Sequence, residues 1–209
     1  MAQTSHEPRL AIPVSNRDHA PGPPEAPLSL IEYGDFECPF CGMAYPEIKD
    51  IRQRLGDRLR FVYRHFPRPE HPHARHAAEA AEAAGAQGEQ HFWAMHDALF
   101  EHQQALEDAQ LVLYASDIGL DTGRFSQDLG QHIHLRRIQE DLESGVHSGV
   151  HGTPTLFVNG VRYEGLPSTA ELYRVLLSEL GDVVEDDVDE ASLESFPASD
   201  APGWIREEI

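Results

Sequence analysis

Residues 28–46 read LSLIEYGDFECPFCGMAYP. Leu28, Leu30 and Glu32 fall on one face of an extended run, and Ser29, Ile31 and Tyr33 on the other. That alternation, rich in Ile, Leu and Tyr, reads as a strand ended by Gly34 and Asp35. Met43, Ile48, Ile51 and Leu55 then recur at helical spacing until Gly56. Cys38-Pro39-Phe40-Cys41 therefore stands where a strand hands over to a helix, and Pro39 suits the first turn, where its missing N–H would be unpaired anyway. A helix start presents free N–H groups and partial positive charge, both of which favour a thiolate. Such a terminus contributes ~0.3–1 kcal/mol, against ~1.36 kcal/mol per pKa unit. The dipole alone thus lowers the Cys38 pKa by about one unit. Cys41, three residues on, is within disulfide reach and is expected to be the more buried. The expected chemistry is thiol–disulfide exchange, with Cys38 attacking and Cys41 resolving.

The totals narrow the remaining possibilities. The chain has 209 residues and 40% hydrophobic content, enough for one domain with an insertion. No stretch approaches the ~18–20 apolar residues of a membrane span. With 16 basic against 36 acidic residues, a net charge of −20 argues against nucleic acid and anionic membranes as partners. Both cysteines lie in the one CxxC, which fits a reducing compartment. The start, MAQTSHEPRLAIPVSNRD, lacks the apolar segment of an export signal, so a cytoplasmic location is expected. A CxxC is also half of many zinc sites, and 13 His are on hand. No second clustered pair stands at finger spacing, so no metal is expected.

Residues 1–27 are proline-rich and read as an extended lead-in with at most one short strand. Arg58–His65 alternates Leu59, Phe61 and Tyr63 with Arg60, Val62 and Arg64, a second strand that completes a β-α-β unit. From 67 to 146 the chain reads as a helical insertion. It contains the alanine-rich stretch 77–84 and an apolar face of Phe92, Trp93, Met95, Leu99 and Phe100. Asp108 and Asp121 are expected N-caps, Gly119 and Gly130 stops, and Ile133, Ile138, Leu142 and Val146 mark a last helix. Asn159-Gly160 between apolar runs signals a hairpin, followed by a helix over Ser168–Leu180. Residues 28–66 and 147–181 thus form one α/β domain, and 182–209 an acidic tail, with Leu193, Phe196 and Trp204 as docking candidates.

CPFC at a strand–helix junction, a helical insert carrying FWAMHDALF, and then GTPTLFVNG resemble the DsbA family of thiol–disulfide oxidoreductases over residues 19–181. The resemblance implies a thioredoxin fold with an all-α insertion. It implies Cys38 as nucleophile, Cys41 as resolving thiol, and Pro154 as a cis-proline facing them. Thr153 would offer its backbone to a substrate strand. Pro39 and Phe40 complete the expected substrate-binding residues, and Pro46 matches the kink proline of the active-site helix. No cofactor is implied beyond the Cys38–Cys41 disulfide. The partners implied are protein or peptide thiols and a recycling redox partner. By strand parity Glu32 points into the core beneath the disulfide, where burial raises its pKa and lets it exchange a proton with Cys41. Phe40 departs from the His that strongly oxidising members carry between the cysteines. It offers no charge to Cys38, so a less oxidising pair follows, with the Cys38 pKa no more than about two units below the free value.

Among weaker signals, His71, His73, His132 and His134 read as surface or packing residues, and His151 as a residue near the active site. Phe36 reads as part of an apolar rim for unfolded chains. Two other functions fit the same fold: a glutathione-dependent transferase or isomerase, whose members usually lack the second cysteine, and a client-binding module with a vestigial CxxC.

Overall fold

The computed structural model describes residues 8–165 and 169–181. The elements run β1 (Leu28–Gly34), α1 (Pro39–Leu55), β2 (Leu59–His65), then five helices, α2 (Ala74–Gly85), α3 (Glu89–Glu101), α4 (Asp108–Asp117), α5 (Thr122–Gly130) and α6 (Leu135–His147). The chain returns through β3 (Thr155–Val158), β4 (Val161–Tyr163) and α7 (Thr169–Glu179). The sheet order is β2-β1-β3-β4, with β1 parallel to β2 and antiparallel to β3. This is the β-α-β, insert, β-β-α order expected from the sequence.

The two-residue period of β1 feeds two cores. Leu28 and Leu30 pack with Ile48, Ile51 and Leu55 of α1 and with Leu59, Phe61 and Tyr63 of β2. Ile31 and Tyr33 pack on the opposite face with Val62, Phe66, Val150 and Phe157. The hairpin is closed by Asn159 at φ 48° and Gly160 at φ 78°, the left-handed pair a two-residue turn demands.

The lead-in closes both sheet edges. Arg9 bridges Val161 on β4, and His19 bridges Tyr63 on β2, so neither outer strand is left as an open template. It also explains Arg64, which alternation placed beside Arg60 on the polar face. Arg64 is 2% exposed. Its guanidinium donates to both carboxylate oxygens of Asp18 at 2.8 and 3.2 Å, to the carbonyls of Ile12 and Pro13, and to the Tyr33 hydroxyl.

Smaller expectations shift. Glu107, not Asp108, is the N-cap residue of α4, whereas Asp121 caps α5 by accepting the Arg124 N–H at 3.0 Å. Ile133 and Val146 are each 55% exposed and lie off the core, because α6 starts at Leu135 and buries Ile138 instead. Ser168 and the acidic tail 182–209, with Leu193, Phe196 and Trp204, lie outside the described residues.

Burial raises the Asp18 pKa, but the Arg64 hydrogen bonds and charge more than offset this and leave it lowered. Its contribution to stability is therefore present above about pH 4 and is lost as pH falls below that. Asp18→Ala strands a buried guanidinium and is expected to cost ~3–5 kcal/mol in denaturant unfolding at pH 7.

Candidate active site

Gly34 ends β1 against the Tyr63 ring, where a Cβ would lie 2.5 Å from Cε2. Asp35, 2% exposed, then turns the chain. Its Oδ1 accepts the Glu37 N–H at 2.8 Å. Its Oδ2 accepts the Arg68 N–H at 2.8 Å and lies 2.8 Å from His71 Nδ1. The strand–helix junction is thereby tied to the connection after β2. Phe36 is not a rim residue. It is 1% exposed and stacks on Tyr63 with ring centroids 5.1 Å apart, because the helical insert covers it with Phe100.

Cys38 is the N-cap residue of α1 and Pro39 its first helical residue. The Cys38 carbonyl accepts the Gly42 N–H at 3.1 Å and Gln103 Nε2 at 3.0 Å. Gln103 also donates to the Phe36 carbonyl at 2.8 Å, so a residue after α3 clamps the start of α1. The facing loop is fixed independently. Arg68 Nη1 donates to the His151 carbonyl at 2.6 Å, and Thr155 Oγ1 donates to the Gly152 carbonyl at 2.7 Å. The Thr153–Pro154 peptide bond is cis, and the Cys38 thiol lies 3.3 Å from the Thr153 carbonyl oxygen.

The two sulfurs are free thiols and are driven apart in acidity. Cys38, 4% exposed, falls to a pKa of about 5. The hydrogen bond from the Cys41 thiol is the largest cause. Burial opposes it, and the Thr153 side chain and the backbone N–H groups of Cys41 and Phe40 add to it. The expected limit of two units is overturned, because it counted the helix start and the missing His at position 40 but not the neighbouring thiol. Cys41, fully buried, moves well above the ordinary thiol range, through burial first and then the Cys38 and Glu32 charges. Glu32, 3% exposed, is pushed up to about 8 by burial, with Arg52 opposing and the Cys38 thiolate adding. Among the described residues its Oε1 has no hydrogen-bond partner.

Cys38, Cys41, Glu32, Thr153 and Pro154 thus converge. Phe40 is 66% exposed and Met43 68%, and Pro39 is exposed as well, all three in the first turns of α1. Pro46 lies inside α1. His151 is exposed and enters the site through its carbonyl. Sequence reasoning missed Asp35, Arg68 and Gln103. Only Asp35 carried a local signal, an Asx-type bond to the residue two ahead.

A sequence profile described as thioredoxin matches residues 15–177. The Na(+)/H(+) antiporter NhaA 1 of Mycolicibacterium vanbaalenii is 45% identical over 171 residues, covering 80% of this chain and 28% of that protein. The chain thus spans about a quarter of the length of the curated relatives it matches. Oxidised BdbD from Bacillus subtilis superposes with a TM-score of 0.74 at 21% identity, covering 84% of this chain and 97% of that one. DsbA2 of Pseudomonas aeruginosa superposes at 0.64 with 26% identity, covering 83% and 99%. These neighbours correct the expected cytoplasmic location, since they are DsbA-like oxidoreductases of the periplasmic or exported kind. A lone CxxC does not report its compartment, because a redox pair turns over between thiol and disulfide whichever state the surroundings favour. Among the described residues, no helix is long and apolar enough to cross a membrane.

Thiolate absorbance of the reduced chain is expected to rise with a midpoint of about pH 5. Cys41→Ala removes the thiol donor, a bond to a charged group worth about 1.5–3 kcal/mol, and should raise that midpoint by roughly one to two units. Glu32 carries a folded pKa above its unfolded one, so its ionisation opposes folding as pH rises from 4.5 to about 8. Glu32→Gln is expected to raise the unfolding free energy in urea at about pH 9, by roughly 2 kcal/mol or more, relative to its effect at about pH 4.

Proposed function

The chain belongs to the thioredoxin family, among the DsbA-like thiol–disulfide oxidoreductases, and from that membership we propose that it exchanges disulfides with protein or peptide thiols through Cys38 and Cys41. The observation that carries this reading is the geometry of the pair, with Cys38 at the start of α1, its sulfur 3.3 Å from the Thr153 carbonyl beside the cis bond, and Cys41 fully buried behind it. In the oxidised chain a substrate thiolate attacks Cys38 Sγ. The Cys38–Cys41 bond breaks, and Cys41 leaves as a thiolate that takes the Glu32 proton. A second substrate thiolate then attacks the substrate sulfur of the mixed disulfide and expels Cys38, a good leaving group because its thiolate is stable. The substrate leaves oxidised by two electrons and the pair is left reduced. In reverse, the Cys38 thiolate attacks a substrate disulfide, Glu32 takes the Cys41 proton, and Cys41 closes on Cys38.

The backbone of Thr153, beside the cis bond, pairs the substrate strand, and Pro39 and Phe40 give it an apolar edge. The redox equivalents reside in the cysteine pair itself, and a separate dithiol or disulfide partner resets it. The curated relatives supply one candidate client. This chain matches a quarter of proteins named Na(+)/H(+) antiporters, and a transporter of that class is the candidate thiol substrate.

Cys38→Ser is expected to abolish insulin disulfide reduction. Cys41→Ser should instead accumulate mixed disulfides through Cys38, with the trapped proteins identified after reducing release. Glutathione as the sole trapped thiol would favour a glutathione-dependent enzyme. Client binding unchanged in Cys38→Ser/Cys41→Ser would favour a binding module.

A further inference from the structure

Away from the cysteines, His76 and Glu79 stand three residues apart on α2 and so share a face. His132, in the connection between α5 and α6, reaches the same carboxylate. Its Nδ1 lies 2.9 Å from Glu79 Oε2, and His76 Nδ1 lies 3.9 Å from Glu79 Oε1. The three donor atoms all lie within 4.8 Å of one another. The Glu79 side chain is 2% exposed, against 25% for His76 and 56% for His132. A buried carboxylate therefore forms the floor and two imidazoles an open rim. We propose that His76 Nδ1, Glu79 and His132 Nδ1 bind a zinc ion.

Two further observations separate this site from an ordinary ion pair. His76 turns its other nitrogen, Nε2, to Asp108 Oδ1 at 3.1 Å. Metal-bound histidines characteristically donate their second N–H to a carboxylate in this way, which fixes the tautomer and leaves the first nitrogen's lone pair free for the metal. The second observation is a contrast. His65, Glu82 and Asp141 also bring three donors together. There, however, Arg137 Nη1 is bonded to Asp141 and Arg137 Nε lies 4.0 Å from Glu82, so a cation already fills the cluster. Among the described residues, the ion pairs of Glu79 are with histidines alone. Two imidazole nitrogens and one carboxylate, with a side open to water, match a three-ligand zinc site. Bonds of about 2.0–2.2 Å in tetrahedral geometry set the donors about 3.3–3.5 Å apart. The spacings to the Glu79 carboxylate, 2.9 Å from His132 Nδ1 to Oε2 and 3.9 Å from His76 Nδ1 to Oε1, lie on either side of that range. The ion would link α2 to the α5–α6 connection, two parts of the insert distant in sequence.

The test uses the full chain with Cys38 and Cys41 oxidised to the disulfide, so that no thiolate competes. Zinc is titrated against a chromophoric chelator. The wild type is expected to take a single zinc ion. His76→Ala and His132→Ala should each weaken binding by about tenfold or more, the double variant should lose it, and Asp108→Asn should weaken it about tenfold. Cobalt in place of zinc should give ligand-field bands without a thiolate charge-transfer band. All three substituted positions are partly exposed, so metal-free thermal unfolding serves as the control for folding. Zinc left wholly with the chelator, or bound equally by the double variant, would overturn the site. Neither outcome bears on exchange at Cys38.

Discussion

Burial of β1 on both faces is the constraint from which the rest follows. A strand that presents successive side chains to opposite faces, with neither face wet, must find an apolar or fully bonded place for every residue. Leu28, Leu30 and Ile31 need only packing. Glu32 and Tyr33 need chemistry, and the two ends of the fold supply it differently. The Tyr33 hydroxyl accepts from Arg64 at 2.9 Å and shares a hydrogen bond with Ser144 at 2.9 Å, and Arg64 in turn holds Asp18 of the lead-in. That chain of bonds fastens the lead-in and α6 to one face of the sheet. Glu32 receives no such partner at Oε1, and its unmet demand is what makes the other face reactive.

Three groups beneath α1 share one low-dielectric space, and the space does not let them all ionise. Charge goes where hydrogen bonds are available, at Cys38, which has the Cys41 thiol and the backbone N–H groups of Cys41 and Phe40. Once that thiolate forms, it raises both Glu32 and Cys41, on which burial already acts in the same direction. The three titrations therefore belong to a coupled set. Phe40 matters less than its position suggests. It projects outward at 66% exposure, and the acidity of Cys38 is set from below.

Periodicity made the sheet, the crossover helix and the hairpin legible, since each is decided by a two- or four-residue spacing and by Gly or Asn at its turns. Strand parity alone put Glu32 on the face of Leu28 and Leu30, which the structure buries under α1. Partners far along the chain left no local trace. Nothing around Arg64 announced its burial, because Asp18 lies 46 positions earlier. Gln103 drew no notice because the carbonyls it clamps, those of Phe36 and Cys38, lie 67 and 65 positions back. Phe36 looked exposed because nothing near it announced that Phe100 would cover it. The Cys38 acidity was underestimated for a related reason. A thiol was counted as a reactant and not as a hydrogen-bond donor.

The histidines connect the acidity of the chain to its architecture. With 36 acidic residues and only 16 Lys and Arg, buried carboxylates draw on imidazoles as partners. Glu82 lies between His19 and His65, Asp35 against His71, and Glu79 between His76 and His132. His19 and His76 are raised by their carboxylates, in His19 against a larger burial effect, while Glu79 and Glu82 are lowered despite burial. The imidazolium contributions are complete below about pH 6.5 and fade as pH rises through the raised values. The carboxylate contributions are complete above about pH 4.5 and fade below it. His96 marks the limit of the pattern, since full burial drives it down to about 4 despite Asp97. Such pairs are strongest in mildly acidic solution. Above that range an imidazole that has shed its proton offers a lone pair instead. Where no guanidinium stands by, as at Glu79, a divalent ion can take over the place of the proton.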